Sequence, residues 1–226
     1  MHLRKFLRRA RGRLSTSLGR ASNLAPLSEE FGFDRGSPID RYYIEEFLGA
    51  HAGCIRGRVL EIGDDAYSRR FGGNHISRQD VLHVAANHPG ATIRGDLTDP
   101  TLLEPQSFDC IILTQTLHLI FDMPSAVATL HKSLRPQGML LVTAPGITPI
   151  DRGEWKDSWY WSLTERALAL LLAGPFKTEQ VNIRSYGNLF AATAFLHGAA
   201  VEDVSRRKLV PVDPAYPVIV AACATA

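Results

Sequence analysis

RVLEIG at residues 58–63 is a compact apolar run that ends in glycine, the pattern of a strand buried on both faces of a parallel sheet. Working outward, FDCIILTQ (108–115) and GMLLVTAPG (138–146) repeat it, and NHISRQDV (74–81) and ATIRGD (91–96) give two weaker strands. Between the strong runs, PSAVATLHKSL (124–134) reads as a helix opened by Pro124 and closed by RPQG, with Gly138 supplying a positive φ. SLTERALALLLAG (162–174) reads as a second helix, with a hydroxyl cap, an early acid and a terminal glycine. VNIRSYGN (181–188) and PVIVAACA (217–224) complete the strands, and YGNLFAATAFLHG (186–198) is a packing helix in which His197 needs no role. Strand and helix alternate throughout, which predicts a doubly wound α/β sheet with helices on both faces.

The chain has 226 residues, of which 45% are hydrophobic. That length buries a large core without disulfide or metal staples. Cys54, Cys110 and Cys223 are odd in number and widely spaced, which argues for a reducing, cytoplasmic setting. No apolar run reaches the roughly 18 residues of a membrane span. His75, His83 and His88 share no ligand spacing with nearby acids, so no metal is expected.

The net charge of +2 conceals an asymmetry. Residues 1–20 hold seven Arg and Lys and no acid, leaving 18 bases against 23 acids in the remainder. A basic groove for nucleic acid is therefore not expected in the body. Leu3, Phe6, Leu7, Ala10, Leu14 and Leu18 recur at helical spacing among the arginines. Such a leader suits an anionic membrane surface or a partner, a transit peptide, or a plain solvated segment. Residues 1–30 are read as leader and linker and 31–226 as one domain.

In a doubly wound sheet, ligands bind past the carboxyl ends of the strands, at the point where strand order reverses. Read this way, three strand ends carry carboxylates: Glu61 with Asp64 and Asp65, then Asp80, then Asp96. Carboxylates repel a pyrophosphate, whose cradle needs backbone N–H groups and glycines. They suit a ligand with ribose hydroxyls, an exocyclic amine and a cationic amino-acid end, which describes S-adenosylmethionine. A nicotinamide enzyme is disfavoured, since G-x-G-x-x-G is absent.

VLEIG (59–63), an acid at position 80, GDL (95–97), FDCIILTQTLHLI (108–120) and LRPQGMLLVTAPG (134–146) together resemble the class I SAM-dependent methyltransferases, over roughly residues 31–226. The resemblance implies a three-layer, Rossmann-like methyltransferase fold: a seven-stranded, mostly parallel sheet with its last strand antiparallel. It also implies roles. Glu61 would lie near the methionine amino group, and Gly63 would let the backbone approach the cofactor. Asp80 would accept the ribose hydroxyls, and Asp96 the adenine amine with Leu97 beside it. Thr114 and Gln115 would line the methionine portion. Two departures stand out. Only Gly63 survives of the family's E-x-G-x-G-x-G loop, and the interval from Asp80 to Asp96 is short and broken by Pro89-Gly90, so a loop replaces the usual helix. The carboxylates of Asp64 and Asp65 either favour a cationic ligand or close the pocket, the latter leaving a degenerate binding or scaffold domain.

For the acceptor, His118 is a base candidate or a residue that caps a helix or bonds within the core. Trp155, Trp159 and Tyr160 lie in DRGEWKDSWYWS (151–162), which either stacks on an acceptor or anchors the loop. Arg41 is placed to pair with the methionine carboxylate, and Tyr42 or Tyr43 to line an acceptor pocket. The alternative for each is a role in packing. Methyl transfer to a small-molecule or glycan-type acceptor, at oxygen, is the resulting expectation.

Overall fold

The computed structural model describes residues 24–226. The basic leader, at 1–20, lies outside the described residues. In chain order the elements are α1 (Ile39–Ala50), β1 (Gly57–Ile62), α2 (Ala66–Gly72), β2 (Ile76–His83), β3 (Ile93–Arg94), β4 (Phe108–Thr114), α3 (Met123–Ser133), β5 (Leu134–Pro145), α4 (Glu165–Leu172), β6 (Val181–Tyr186), α5 (Leu189–Leu196) and β7 (Ile219–Thr225). The strands form one seven-stranded sheet in the order β3-β2-β1-β4-β5-β7-β6. The pairs β3–β2, β2–β1, β1–β4 and β4–β5 are parallel. At one end of the β5–β7 pair Ala226 N–H donates to Gly138 O at 2.9 Å, and at the other Gly146 N–H donates to Val218 O at 2.9 Å. Partner numbers fall as the strand advances, so β7 is antiparallel, as expected.

The chain divides into two compact units. The larger takes Glu45–Pro145, Ser158–Arg184 and Val220–Ala226; the smaller takes the segment up to Ile44, with Gly146–Asp157 and Ser185–Ile219. In the larger unit, Leu60, Ile111 and Leu140 fall in register across three adjacent strands. All three are fully buried, in one cluster with Val127 and Leu130 of α3 and Leu168 and Leu172 of α4. Burying each such side chain contributes about 1.5–3 kcal/mol, so this face alone fixes which way the strands point. In the smaller unit Phe195 and the alanines of α5 are buried, as are Tyr43, Val201 and Leu209.

Local signals set the helix starts. The Asp122 carboxylate accepts from Ser125 N–H ahead of α3, Thr164 Oγ1 from Ala167 N–H ahead of α4, and Asn188 Oδ1 from Ala191 N–H ahead of α5. Two expectations are corrected. α3 runs directly into β5, and the positive φ falls on Gln137 (66°) instead of Gly138. Gly138 is needed for close approach: a Cβ there would meet Arg135 O at 2.8 Å and Phe108 O at 3.0 Å. The second strand occupies Ile76–His83, two residues further along than 74–81. No helix forms in the loop that follows it. Among the described residues, no helix is long and apolar enough to cross a membrane.

Candidate functional site

Register places one row of residues along the carboxyl edge of the sheet. Ile62 pairs Leu82, His83 pairs Arg94 and Thr114 pairs Thr143. One step past Ile62, Gly63 stands level with His83 and Thr114. Strand order reverses between β1 and β4, which makes the gap beyond Gly63 and Thr114 the switch point of the sheet. Every residue of this row belongs to the larger unit.

Glu61 is 1% exposed, and its two oxygens accept from Tyr67 N–H (3.1 Å) and Ser68 N–H (2.7 Å). Burial raises its pKa, and the N–H groups of the first turn of α2 oppose that rise. Glu61 therefore fastens the loop to α2. Gly63 has φ of 100°, donates its N–H to Leu82 O, and has open space where a Cβ would project. The added carboxylates are held locally. Asp64 accepts from Ala66 N–H at 2.9 Å, and Asp65 pairs with Arg69 one turn along α2. They leave the space over Gly63 clear.

Asp80 is corrected most. It lies inside β2, opposite Leu60, not beyond the strand end. It is 2% exposed and receives Arg58 Nε at 2.8 Å, Arg78 Nε at 3.3 Å and Thr92 Oγ1 at 3.2 Å. The Arg58 guanidinium in turn lies over the Phe108 ring at 4.6 Å and reaches Glu104, so this network sits toward the start of β4, away from the carboxyl edge. A carboxylate so occupied is not available to ribose hydroxyls. Asp96 does follow its strand: it is exposed, with one oxygen turned back to Thr98 N–H at 2.9 Å, and Leu97 beside it is buried in the core.

Beyond β4, Thr114 is half-buried and Gln115 adopts φ of 45°, a left-handed conformation unusual for a side chain of this type. Its N–H donates to Thr143 O at 3.0 Å, while its Nε2 is buried with no partner among the described residues. A strained residue with an unsatisfied buried donor at a strand end is a mark of a ligand position. His118 follows in a short 3-10 turn, 2% exposed, and its Nδ1 also lacks a partner among the described residues. Burial lowers its pKa to about 4, so the imidazole is neutral at pH 7.

The loop from Ser158 is sewn to this turn. Tyr160 N–H and Trp161 N–H both donate to His118 O, at 3.0 and 3.3 Å, and Trp161 Nε1 donates to Ile120 O at 3.1 Å. Trp159 meets the His118 ring edge-on at 4.3 Å. Tyr160 and Phe121 form an edge-to-face pair at 5.4 Å and stay largely open to solvent, 48% and 69% exposed. Phe121 is a candidate for the acceptor side that the sequence reading missed. It is one aromatic in an apolar run, and only its meeting with Tyr160 marks it.

Arg41, Tyr42, Tyr43 and Trp155 belong to the smaller unit. Tyr43 is corrected: it is 2% exposed, its hydroxyl donates to Leu209 O at 2.8 Å, and it packs on Tyr42 and Tyr186, so it is a core residue. Tyr42 is half-buried beside it. Arg41 is exposed and lies over the Phe33 ring at 5.3 Å. Trp155 is half-buried, its N–H donating to Asp151 at 2.8 Å.

Sheet order, the row at the switch point and the carboxylate-bearing loop define an α/β fold of the methyltransferase type. Residues 50–142 match the methyltransferase domain family. Over 165 residues, 69% of this chain, the sequence is 26% identical to a probable S-adenosylmethionine-dependent methyltransferase of Mycolicibacterium smegmatis, and the chain spans 58% of that relative's length. A SAM-dependent methyltransferase from Mesorhizobium loti shares the fold with a TM-score of 0.55, at 15% identity over 83% of this chain and 100% of that one. Another from Archaeoglobus fulgidus gives 0.55, at 10% identity over 82% of this chain and 94% of that one. The family match is carried by residues 50–142, and the fold of the described residues is that of SAM-dependent methyltransferases.

Proposed function

We propose that this protein transfers a methyl group from S-adenosylmethionine to a small-molecule or glycan-type acceptor, at oxygen. The observation that carries the proposal is the pairing, across the switch point, of open space over Gly63 with the unsatisfied Nε2 of Gln115. Both fit a ligand that approaches the backbone closely and offers hydrogen-bond acceptors. S-adenosylmethionine, when bound, supplies a methyl group on a sulfonium.

The chain's own residues do the rest. Gly63, Thr114 and Gln115 hold the amino-acid end, Asp96 takes the adenine amine, and Glu61 keeps the loop in place through α2. Methyl transfer is an in-line displacement, so much of the catalysis is orientation. His118 is the base candidate where the acceptor is a hydroxyl; it is neutral at pH 7, and the burial that lowers its pKa to about 4 makes it a weak base, so orientation carries more of the catalysis than proton removal. The exposed faces of Tyr160 and Phe121 suit the apolar face of a sugar or another ring, which supports an acceptor bearing hydroxyls. The reading extends to location: a cytoplasmic enzyme whose basic leader touches an anionic membrane or a partner.

Calorimetric titration with S-adenosylmethionine and S-adenosylhomocysteine, on wild type, Gln115→Ala and Asp96→Ala, tests the site. Micromolar binding that weakens about tenfold in each variant, the worth of one hydrogen bond, supports it. A folded wild type that binds neither compound refutes it and leaves the scaffold reading standing.

A further inference from the structure

Once Asp80 is inside β2, the end of that strand has no carboxylate at all. From Val84 to Gly95 the chain reads VAANHPGATIRG, without an acid. Two imidazoles stand there instead. His83, the last residue of β2, stacks on His88 with ring centroids 3.9 Å apart and planes within 10° of parallel. His83 stands one step past the Ile62–Leu82 pair, level with Gly63 along the carboxyl edge, so the pair sits at the β2 end of the row that flanks the switch point.

Each ring is held. Ala85 N–H donates to His83 Nδ1 at 3.0 Å, which places the His83 proton on Nε2 in the neutral ring. His88 is fixed through its backbone. Its N–H reaches Ala85 O, and its carbonyl accepts from Ala91 N–H and from Arg94 Nη2 at 3.5 Å. Stacking then sets the His88 ring plane, and its Nδ1 is buried with no partner among the described residues. A buried imidazole nitrogen without a partner is destabilising unless a ligand satisfies it. Nδ1 of a neutral imidazole can accept from a hydroxyl or donate to one, so a ribose diol matches it as well as it matches a carboxylate.

We propose that the stacked His83–His88 pair replaces the ribose-binding acid of this site, with His88 Nδ1 bonding a ribose hydroxyl of the cofactor and His83 fixing the ring that does so. The inference rests on the cofactor reading above and specifies how this chain meets it. Its consequence is a site that recognises the adenosyl ribose through a neutral ring.

The test is calorimetric binding of S-adenosylhomocysteine and its 2′-deoxy and 3′-deoxy analogues to full-length wild type, His88→Ala and His88→Asn. Wild type loses about tenfold in affinity for at least one deoxy analogue, the worth of one hydrogen bond. His88→Ala, with an unchanged thermal transition, loses about tenfold for the parent compound and nothing further for that analogue. His88→Asn, which keeps a donor and an acceptor, recovers part of the loss. An unchanged parent affinity in folded His88→Ala overturns the inference, and so does a deoxy penalty that persists there. Equal wild-type affinity for all three compounds overturns it without any variant. Those outcomes leave the cofactor reading intact. Absence of parent binding by folded wild type refutes both.

Discussion

Replacing Asp80 by alanine separates two roles that a carboxylate at this place in the sequence can have. In the structure it anchors Arg58, whose side chain is 16% exposed against 3% for Asp80, with Nε 2.8 Å from the carboxylate. Removing one partner of a buried ion pair costs about 3–5 kcal/mol, because the other charge is left without compensation. Two features lower the figure here. Arg58 keeps Glu104 at 3.4 Å and the face of Phe108, and Arg78, the second cation on Asp80, is 62% exposed and returns to water. We expect a loss of about 2–3 kcal/mol, which in a chain of this size lowers the melting temperature by roughly 4–12 °C. Urea unfolding followed by tryptophan fluorescence measures it, and calorimetry on the folded variant at 10 °C measures cofactor affinity. Affinity should stay within about twofold of wild type, since the carboxylate faces away from the carboxyl edge. Wild-type stability together with lost S-adenosylmethionine binding would refute the reasoning and return Asp80 to the ribose.

Three further outcomes follow from the geometry. His118 has a pKa near 4 when folded and an ordinary value of 6.5, so the unfolded chain binds the extra proton between those values. The stability His118 contributes is complete above about pH 6.5 and falls as pH drops toward 4, by at most roughly 3 kcal/mol; melting curves from pH 7.5 to 4.5 should show a slope in this window that His118→Phe reduces. Phe121→Ala and Tyr160→Ala should each raise KM for the acceptor about two- to tenfold and leave the Kd for S-adenosylmethionine unchanged, as steady-state kinetics beside calorimetry would show. Tyr43→Phe removes a buried hydroxyl donor and leaves Leu209 O short of a partner, costing about 1 kcal/mol in urea unfolding; a change in cofactor affinity would contradict its place in the core.

The parts of the fold that local pattern dictates were legible. β1, β4 and β5 are largely apolar runs because both faces are covered, and the starts of α3, α4 and α5 carry their capping side chains in the sequence. β2 was misplaced by two residues for a physical reason. Its first half is polar and partly exposed, and its buried stretch, Asp80–Leu82, begins at a charge that reads as a strand end. The signal that locates Asp80 is Arg58, a cation entering an otherwise apolar strand, but the two meet only through pairing of β1 with β2. The hydroxyl of Tyr43 likewise finds its acceptor 166 residues away, and Phe121 finds Tyr160 across a loop. Contacts of this kind have no local period to betray them.

The altered loop after β1 shows why a motif can lose glycines and keep its shape. Glycine is required only where φ is positive or where a ligand or backbone leaves no room for a Cβ. In this loop that holds at Gly63, whose φ of 100° excludes most side chains and whose outward space is clear. Asp65 has φ of −118° and ψ of 17°, an ordinary conformation for a residue with a side chain, and its carboxylate is drawn along α2 to Arg69. Asp64 is folded onto Ala66 N–H. Both charges are thus spent on the loop and the first turn of the helix, while Glu61, buried beneath, holds the same turn from the sheet side. A dinucleotide would need further backbone approach to its pyrophosphate, which these side chains obstruct; a cofactor without phosphate needs only the opening at Gly63. The substitutions that remove the motif from view are therefore compatible with the cofactor proposed for this edge.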